Sequence, residues 1–220
     1  SFGPGLAFGR ALTELTGHSV GLIPCAHGGT RLEQWWHDKK TPDDLYGAML
    51  ERVRRSGEAP SGLLWYQGES DAAQAGETAA SYGERLAEWI SVVRRDLNAP
   101  DLPVVLVQLA PAVRRPPHQL DPAIELGWSQ VRQAQLELAA KVPHVACVSA
   151  IDLDLYDTIH LDGPSQNRLG QLELDPGIGA EIASRVTELA FDQLDAPVRR
   201  VAQAEVPLPY NEQLEQMALP

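Results

Sequence analysis

The feature that most constrains this chain is an alternation of short apolar runs of strand type with longer stretches of helical period. Helical period over Leu6 to Leu15 gives way to an apolar run at Ser19 to Cys25, and a helical stretch at Asp43 to Arg55 leads to Gly62 to Gln67. A long stretch from Thr78 to Leu97, with Tyr82, Leu86, Trp89, Ile90 and Val93 on one face, precedes Val104 to Leu109; Trp128 to Lys141 precedes His144 to Val148. Short apolar runs of this kind are strands covered on both faces, and a helix between each successive pair makes them parallel. The pattern predicts an α/β fold, a three-layer α/β/α sandwich around a parallel sheet. Arg114 to Asp121, with Pro116 and Pro117, reads as loop, and a last helix is expected from Ile178 to Leu194 after Asp175-Pro176-Gly177. With 220 residues in all, one domain over 1–195 is expected. Residues 196–220, with four prolines and no sustained periodicity, read as a tail that crosses the surface or pairs with a partner subunit.

Charge and spacing exclude several classes of function. Thirty acidic against eighteen basic side chains give a formal charge of -12, which repels a phosphate backbone, so no nucleic-acid partner is expected. No apolar run approaches the roughly eighteen residues of a membrane span, and no basic, apolar, then small-residue pattern opens the chain. A mature soluble chain without a membrane partner is expected, cytoplasmic or exported. Cys25 and Cys147 end apolar runs and read as small buried hydrophobes rather than a disulfide. His18, His37, His118 and His144 have no partners at ligand spacing, so neither a metal nor another cofactor is expected.

Open parallel sheets bind ligands beyond the carboxyl ends of their strands, and the unusual polar clusters of this sequence fall at such ends. Asp157-Thr-Ile-His160 sets a carboxylate and an imidazole three residues apart after the last strand. A histidine acting as general base needs a group that holds its tautomer and stabilises the imidazolium, and Asp157 is placed for that. Ala26-His-Gly-Gly-Thr30 follows another apolar run; Gly28 and Gly29 allow a tight turn that aims N–H groups at a ligand, and His27 sits beside them. Trp65-Tyr-Gln-Gly-Glu-Ser-Asp71 brings the Gln67 amide to the rim, where its N–H would stabilise an oxyanion. Gln108-Leu-Ala-Pro111 is a weaker candidate for the pocket wall.

The segments GGTRLEQW, WYQGESDA and DTIHLDG, with the opening GPGLAFGRAL and the helix WSQVRQAQ, resemble SGNH hydrolases of the sialate O-acetylesterase and acetylxylan esterase group. The resemblance runs from about Gly3 to Leu189. It implies a flavodoxin-like sheet and a serine esterase that takes O-acetyl groups off an acetylated carbohydrate, with no cofactor. It further implies a general base at His160, an orienting acid at Asp157, oxyanion donors from Gly28, Gly29 and Gln67, and supporting roles for Glu69 and Asp71. His27 and Trp35 are candidates for the substrate pocket. The group's nucleophilic serine lies in a Gly-Gln-Ser-Asn type motif after the first strand, and this sequence has no such motif. A strand order of 2-1-3-4-5 puts that strand inside the sheet, where removing it leaves backbone groups unpaired. An upstream segment of the same polypeptide, carrying the nucleophile, is therefore expected.

Two other readings stay open. Gly68-Glu-Ser70-Asp-Ala72 follows a strand and approximates the Gly-x-Ser-x-Gly elbow of α/β-hydrolases, which would make Ser70 the nucleophile. Alternatively the chain binds sugar without cleaving it, with Trp35 and Trp36 stacking on a pyranose face.

Overall fold

The computed structural model describes residues 3–38, 40–111 and 121–172. It is an α/β protein with a three-stranded parallel sheet in the order β1-β2-β3: β1 is Leu63–Trp65, β2 Val104–Gln108 and β3 Val145–Ser149. Leu63 pairs with Val104 and Trp65 with Leu106; on the other side Val104 pairs with Val145 and Gln108 with Ser149. β2 is central and every one of its residues is buried, which is why it is spelled Val-Val-Leu-Val-Gln without polar alternation. The order is that of the last three strands of the expected sheet.

The helices of the described chain are α1 (Gly5–Thr16), α2 (Leu45–Ser56), α3 (Glu69–Gln74), α4 (Gly76–Ala80), α5 (Tyr82–Asp96), α6 (Pro122–Lys141) and α7 (Gly163–Leu172), with a 3-10 turn at Leu32–Trp35. Two compact units result. Residues 24–162 hold the sheet with α2 to α6, and the described residues 3–23 and 163–172 form the other around α1 and α7. In the second unit α1 and α7 cross closely at Gly170, where a Cβ would lie 2.3 Å from the Pro4 carbonyl oxygen.

In the larger unit α6 lies against β2 and β3 and against α3, α4 and α5. Gly127 permits the approach to α3, since a Cβ there would sit 2.4 Å from the Ala72 carbonyl oxygen. The predicted apolar face of α5 is buried throughout, with Tyr82, Leu86, Trp89, Ile90 and Val93 at most 1% exposed. Trp89 stands at the centre of an aromatic group: its ring lies 4.3 Å from that of Trp65, which meets Trp35 edge-on at 5.5 Å. At the N-terminal ends of β2 and β3, buried Arg94 donates to the carbonyls of Leu102, Pro143 and His144 at 2.9–3.1 Å.

Several expectations are corrected. Ser19 to Cys25 forms no strand; in the order 2-1-3-4-5 it would pair only with a first strand, which the described residues do not supply. The helix expected at Thr78 to Leu97 is divided at Ser81 into α4 and α5, and α3 is set off before them at Ala75, which takes a positive φ. α6 starts six residues early because Asp121 caps it, accepting from the Ala123 N–H at 2.8 Å, and Pro122 occupies its first position. α7 was not anticipated. The helix expected at Ile178 to Leu194, the tail 196–220 and nearly all of the loop expected at Arg114 to Asp121 lie outside the described residues.

Candidate active site

The loop after β3 folds back on itself. Leu155 and Leu161 form an antiparallel bridge, the Tyr156 N–H donates to the His160 carbonyl at 2.7 Å, and the Asp162 N–H donates to that of Asp154 at 3.1 Å. Asp157-Thr-Ile-His160 lies within this turn, so three residues of sequence become direct contact. Asp157 Oδ1 accepts the N–H groups of Ile159 and His160, both at 2.8 Å, while Oδ2 faces His160 Nδ1 at 2.7 Å. With Nδ1 donating, Nε2 becomes the acceptor of the ring, the state a general base requires. Partial burial raises the Asp157 carboxyl, but the hydrogen bonds from Ile159 and His160 and the imidazolium charge more than reverse this and hold it at about 2. The pair is open to solvent, the His160 side chain being 64% exposed.

The wall after β1 is held by buried polar contacts. Asp71, fully buried, accepts from the Leu32 N–H at 2.8 Å and from Gln67 Nε2 at 2.7 Å on Oδ2, and from Arg85 Nη2 at 3.0 Å on Oδ1. Gln67 Nε2 also donates to the Thr30 carbonyl at 3.0 Å, and its Oε1 accepts from the Tyr82 hydroxyl at 3.1 Å. Reversing this amide would set its oxygen against a carboxylate and a carbonyl, so the orientation is fixed. Both amide protons of Gln67 are thus spent inside the wall, and the oxyanion donor expected there is not available as placed. Glu69 stands half-buried next in the chain. Burial pushes its carboxyl above the ordinary range, while the N–H groups of Glu69 and Gly68 and the charge of His160 draw it down.

Gly28 and Gly29 form an exposed turn, Gly29 with φ 70°, a conformation suited to glycine. The His27 side chain is exposed beside it, and the His27 carbonyl accepts the Thr30 hydroxyl at 2.9 Å. Trp35 is not a pocket residue: it is 4% exposed, and its indole N–H is bound to Thr30 Oγ1 at 3.0 Å. Trp36 stacks on His37 instead of facing a ligand, with ring centroids 4.9 Å apart. Ser70 is no nucleophile elbow. It is the second residue of α3 and has no left-handed φ; the positive φ of this turn belongs to Gly68. Gln108 is turned inward, buried and bonded to Ser149 and the Arg132 carbonyl. Sequence reasoning did not single out Arg85, Tyr82, Thr30 or Gln135 as polar anchors. Gln135 is fully buried and donates to the Gln67 carbonyl at 3.0 Å. Its place in an otherwise apolar face of α6 was the available signal.

Gly29, Arg31, Gln34, Ser70, Ala73 and Gln74 line an open concavity of about 450 Å³ beside the glycine turn. Among the described residues no group of three or more His, Cys, Asp or Glu is arranged to hold a metal ion, and no helix is long and apolar enough to cross a membrane.

Comparison with known proteins places the chain in a family. A probable carbohydrate esterase of Arabidopsis thaliana is 37% identical over 176 residues, which span 76% of this chain and 60% of the relative. The solved structure of that plant protein aligns with a TM-score of 0.63 at 35% identity, covering 78% of this chain and 66% of that one. A carbohydrate acetylesterase from Xanthomonas citri shares the fold, with a TM-score of 0.62 at 23% identity over 86% of this chain and 41% of its own. A stretch of 66 residues is also 48% identical to a mitochondrial pyruvate dehydrogenase E1 β subunit of Oryza sativa, but it covers only 29% of this chain and 18% of that protein, too little of either to bear on the site. The chain spans about three-fifths of the length of its plant relative. Residues 1–174 match the profile described as carbohydrate esterase, sialic acid-specific acetylesterase, and the chain belongs to that family.

Proposed function

We propose that this chain carries the histidine–aspartate half of a serine esterase site that removes O-acetyl groups from carbohydrates. The observation that carries the reading is the Asp157–His160 contact at 2.7 Å, which holds the imidazole in the tautomer of a base. The nucleophile is a serine in an upstream segment of the same polypeptide. Its hydroxyl oxygen attacks the ester carbonyl while His160 Nε2 takes the proton, and the tetrahedral oxyanion is met by N–H groups of the Gly28–Gly29 turn. The imidazolium returns the proton to the departing sugar oxygen as the ester C–O bond breaks. Water, deprotonated by His160, then attacks the acyl carbonyl, and the imidazolium returns that proton to the serine oxygen as its bond to the acyl carbon breaks and acetate leaves. Gln67 acts by positioning the turn rather than by donating to the oxyanion, and Glu69 offers the imidazolium a second nearby carboxyl group.

A carbohydrate substrate is supported by the family and by the lining of the concavity beside Gly29, where a guanidinium, two amides and a hydroxyl suit a polyhydroxylated ligand. Intact-mass spectrometry of the full-length protein after treatment with a fluorophosphonate, followed by peptide mapping, tests the reading. One adduct on a serine upstream of Ser1 is expected. An adduct on Ser70, or none on folded protein, would overturn it, the latter in favour of a sugar-binding protein without catalysis.

A further inference from the structure

The turn that carries Gly28 and Gly29 is exposed, yet two backbone groups of the segment that follows it lead to one buried carboxylate. The Leu32 N–H is bonded directly to Asp71 Oδ2 at 2.8 Å. The Thr30 carbonyl is held by Gln67 Nε2, whose other proton rests on the same oxygen at 2.7 Å. That leaves Oδ1, which receives Arg85 Nη2 at 3.0 Å. Arg85 is itself aimed from elsewhere: Nη2 also donates to the Thr78 carbonyl at 2.6 Å and Nε to Ser81 Oγ at 3.2 Å. Ser81 Oγ in turn donates to the Glu77 carbonyl at 2.7 Å. The guanidinium therefore reaches Asp71 from the α4–α5 junction in one fixed direction.

We propose that Arg85 is a positioning residue for ester hydrolysis, acting through Asp71 to fix the Gly28–Gly29 turn where its N–H groups meet the developing oxyanion. The proposal rests on the esterase reading above. A fully buried carboxylate with only neutral donors is poorly compensated, and its hold on neighbouring N–H groups depends on the charge opposite it. Oxyanion donors act only within a few tenths of an ångström of their proper distance, and a displacement of about 1 Å costs on the order of a hundredfold in rate. Arg85 sits outside the turn and touches neither reacting group, so with an acetyl ester that carries no sugar its effect would fall on turnover rather than on affinity.

The test uses full-length protein carrying Arg85→Ala or Arg85→Lys, with two readouts. In the first, hydrogen exchange of the Leu32 amide is compared with that of β2. Arg85→Ala is expected to speed exchange at Leu32 by about tenfold or more while leaving β2 unchanged. In the second, 4-nitrophenyl acetate hydrolysis is expected to lose about tenfold or more in kcat with KM within about twofold, and Arg85→Lys to recover most of the loss. Should the alanine variant fail to fold, Arg85→Gln, which keeps a donor but no charge, decides in the same way. Unchanged exchange at Leu32, or a kcat within twofold of wild type in folded protein, would overturn the proposal. Exchange that rises equally in β2 would also overturn it, by making Arg85 a general stabiliser. An inactive wild type would instead sink the esterase reading, and the exchange readout would still decide whether Arg85 holds the turn.

Discussion

Asp157 Oδ2 lies 2.7 Å from His160 Nδ1 while Asp157 Oδ1 accepts two backbone N–H groups of the same turn. One carboxylate thus builds the loop with one oxygen and orients the ring with the other. Asp157→Asn separates these tasks. The amide oxygen can still accept from Ile159 and His160, so the loop keeps its shape. The amide nitrogen then faces Nδ1 as a donor and selects the ring tautomer protonated on Nε2, which cannot take a proton from a nucleophile. In full-length protein, kcat on 4-nitrophenyl acetate should fall by about 10³–10⁴ with little change in KM or circular dichroism. Retention of a tenth of the wild-type kcat would contradict the assignment of His160 as base.

Glu69 gives a pH dependence whose sign is fixed by burial. Its carboxyl is raised from an ordinary value of 4.5 chiefly by desolvation. The folded state therefore holds its proton more tightly than the unfolded state, and the stability this gives is full below 4.5 and is lost as pH rises through the folded value. Glu69→Gln carries no such titration. Thermal unfolding between pH 4 and 8 should show the variant gaining on the wild type as pH rises and the difference levelling once Glu69 is ionised. A difference that does not change with pH would refute the burial argument.

What was legible in the sequence was what is local or periodic. The face of α5 was readable because burial repeats every turn, and Asp157 with His160 because the contact spans three residues. Gln67 was recognised as a polar residue at a strand end, but its engagement was not readable, because Thr30 and Tyr82 lie 37 and 15 residues away. Trp35 and Trp36 are chemically identical neighbours, and only the packing of Trp65 and Trp89 sends one into the core. Ser19 to Cys25 has a strand's apolar content, but content reports burial and not a ladder partner. α7 carries few apolar residues, although Asp162, Gly163 and Pro164 form a helix-start signal of the kind that also opens α6.

Arg94 joins the strands at the end of the sheet opposite the candidate site. Its guanidinium is buried and makes four hydrogen bonds to three carbonyls, those of Leu102, Pro143 and His144. Desolvation lowers its pKa, and the charge of nearby Asp101 offsets this only in part. Arg94→Ala should lower stability by about 2–4 kcal/mol, since hydrogen bonds to a charged group contribute more than neutral ones and the carbonyls lose their donor. Arg94→Lys, with a single nitrogen, cannot span all three and should recover about half of the loss. Urea unfolding midpoints measure both, and equal midpoints for wild type and Arg94→Ala would remove Arg94 from the fold's supports.

Ala75 sits between α3 and α4 with φ 56° and ψ -162°, a region that glycine alone occupies readily. It is kept there by its surroundings. Its N–H donates to the Ala72 carbonyl at 3.1 Å, its own carbonyl accepts from Ala79, and α6 passes so close that a Cβ on Gly127 would lie 3.0 Å from the Ala75 Cα. Strain of this kind costs about 1–3 kcal/mol, and glycine removes it at a cost of about 0.5–1 kcal/mol in unfolded-chain entropy. Ala75→Gly should therefore stabilise the protein by about 1 kcal/mol, and Ala75→Val should destabilise it because a β-branched side chain tolerates positive φ least. The pair separates strain from packing. If loss of the Ala75 methyl mattered mainly as lost burial, glycine would lower the unfolding midpoint, whereas relief of backbone strain raises it.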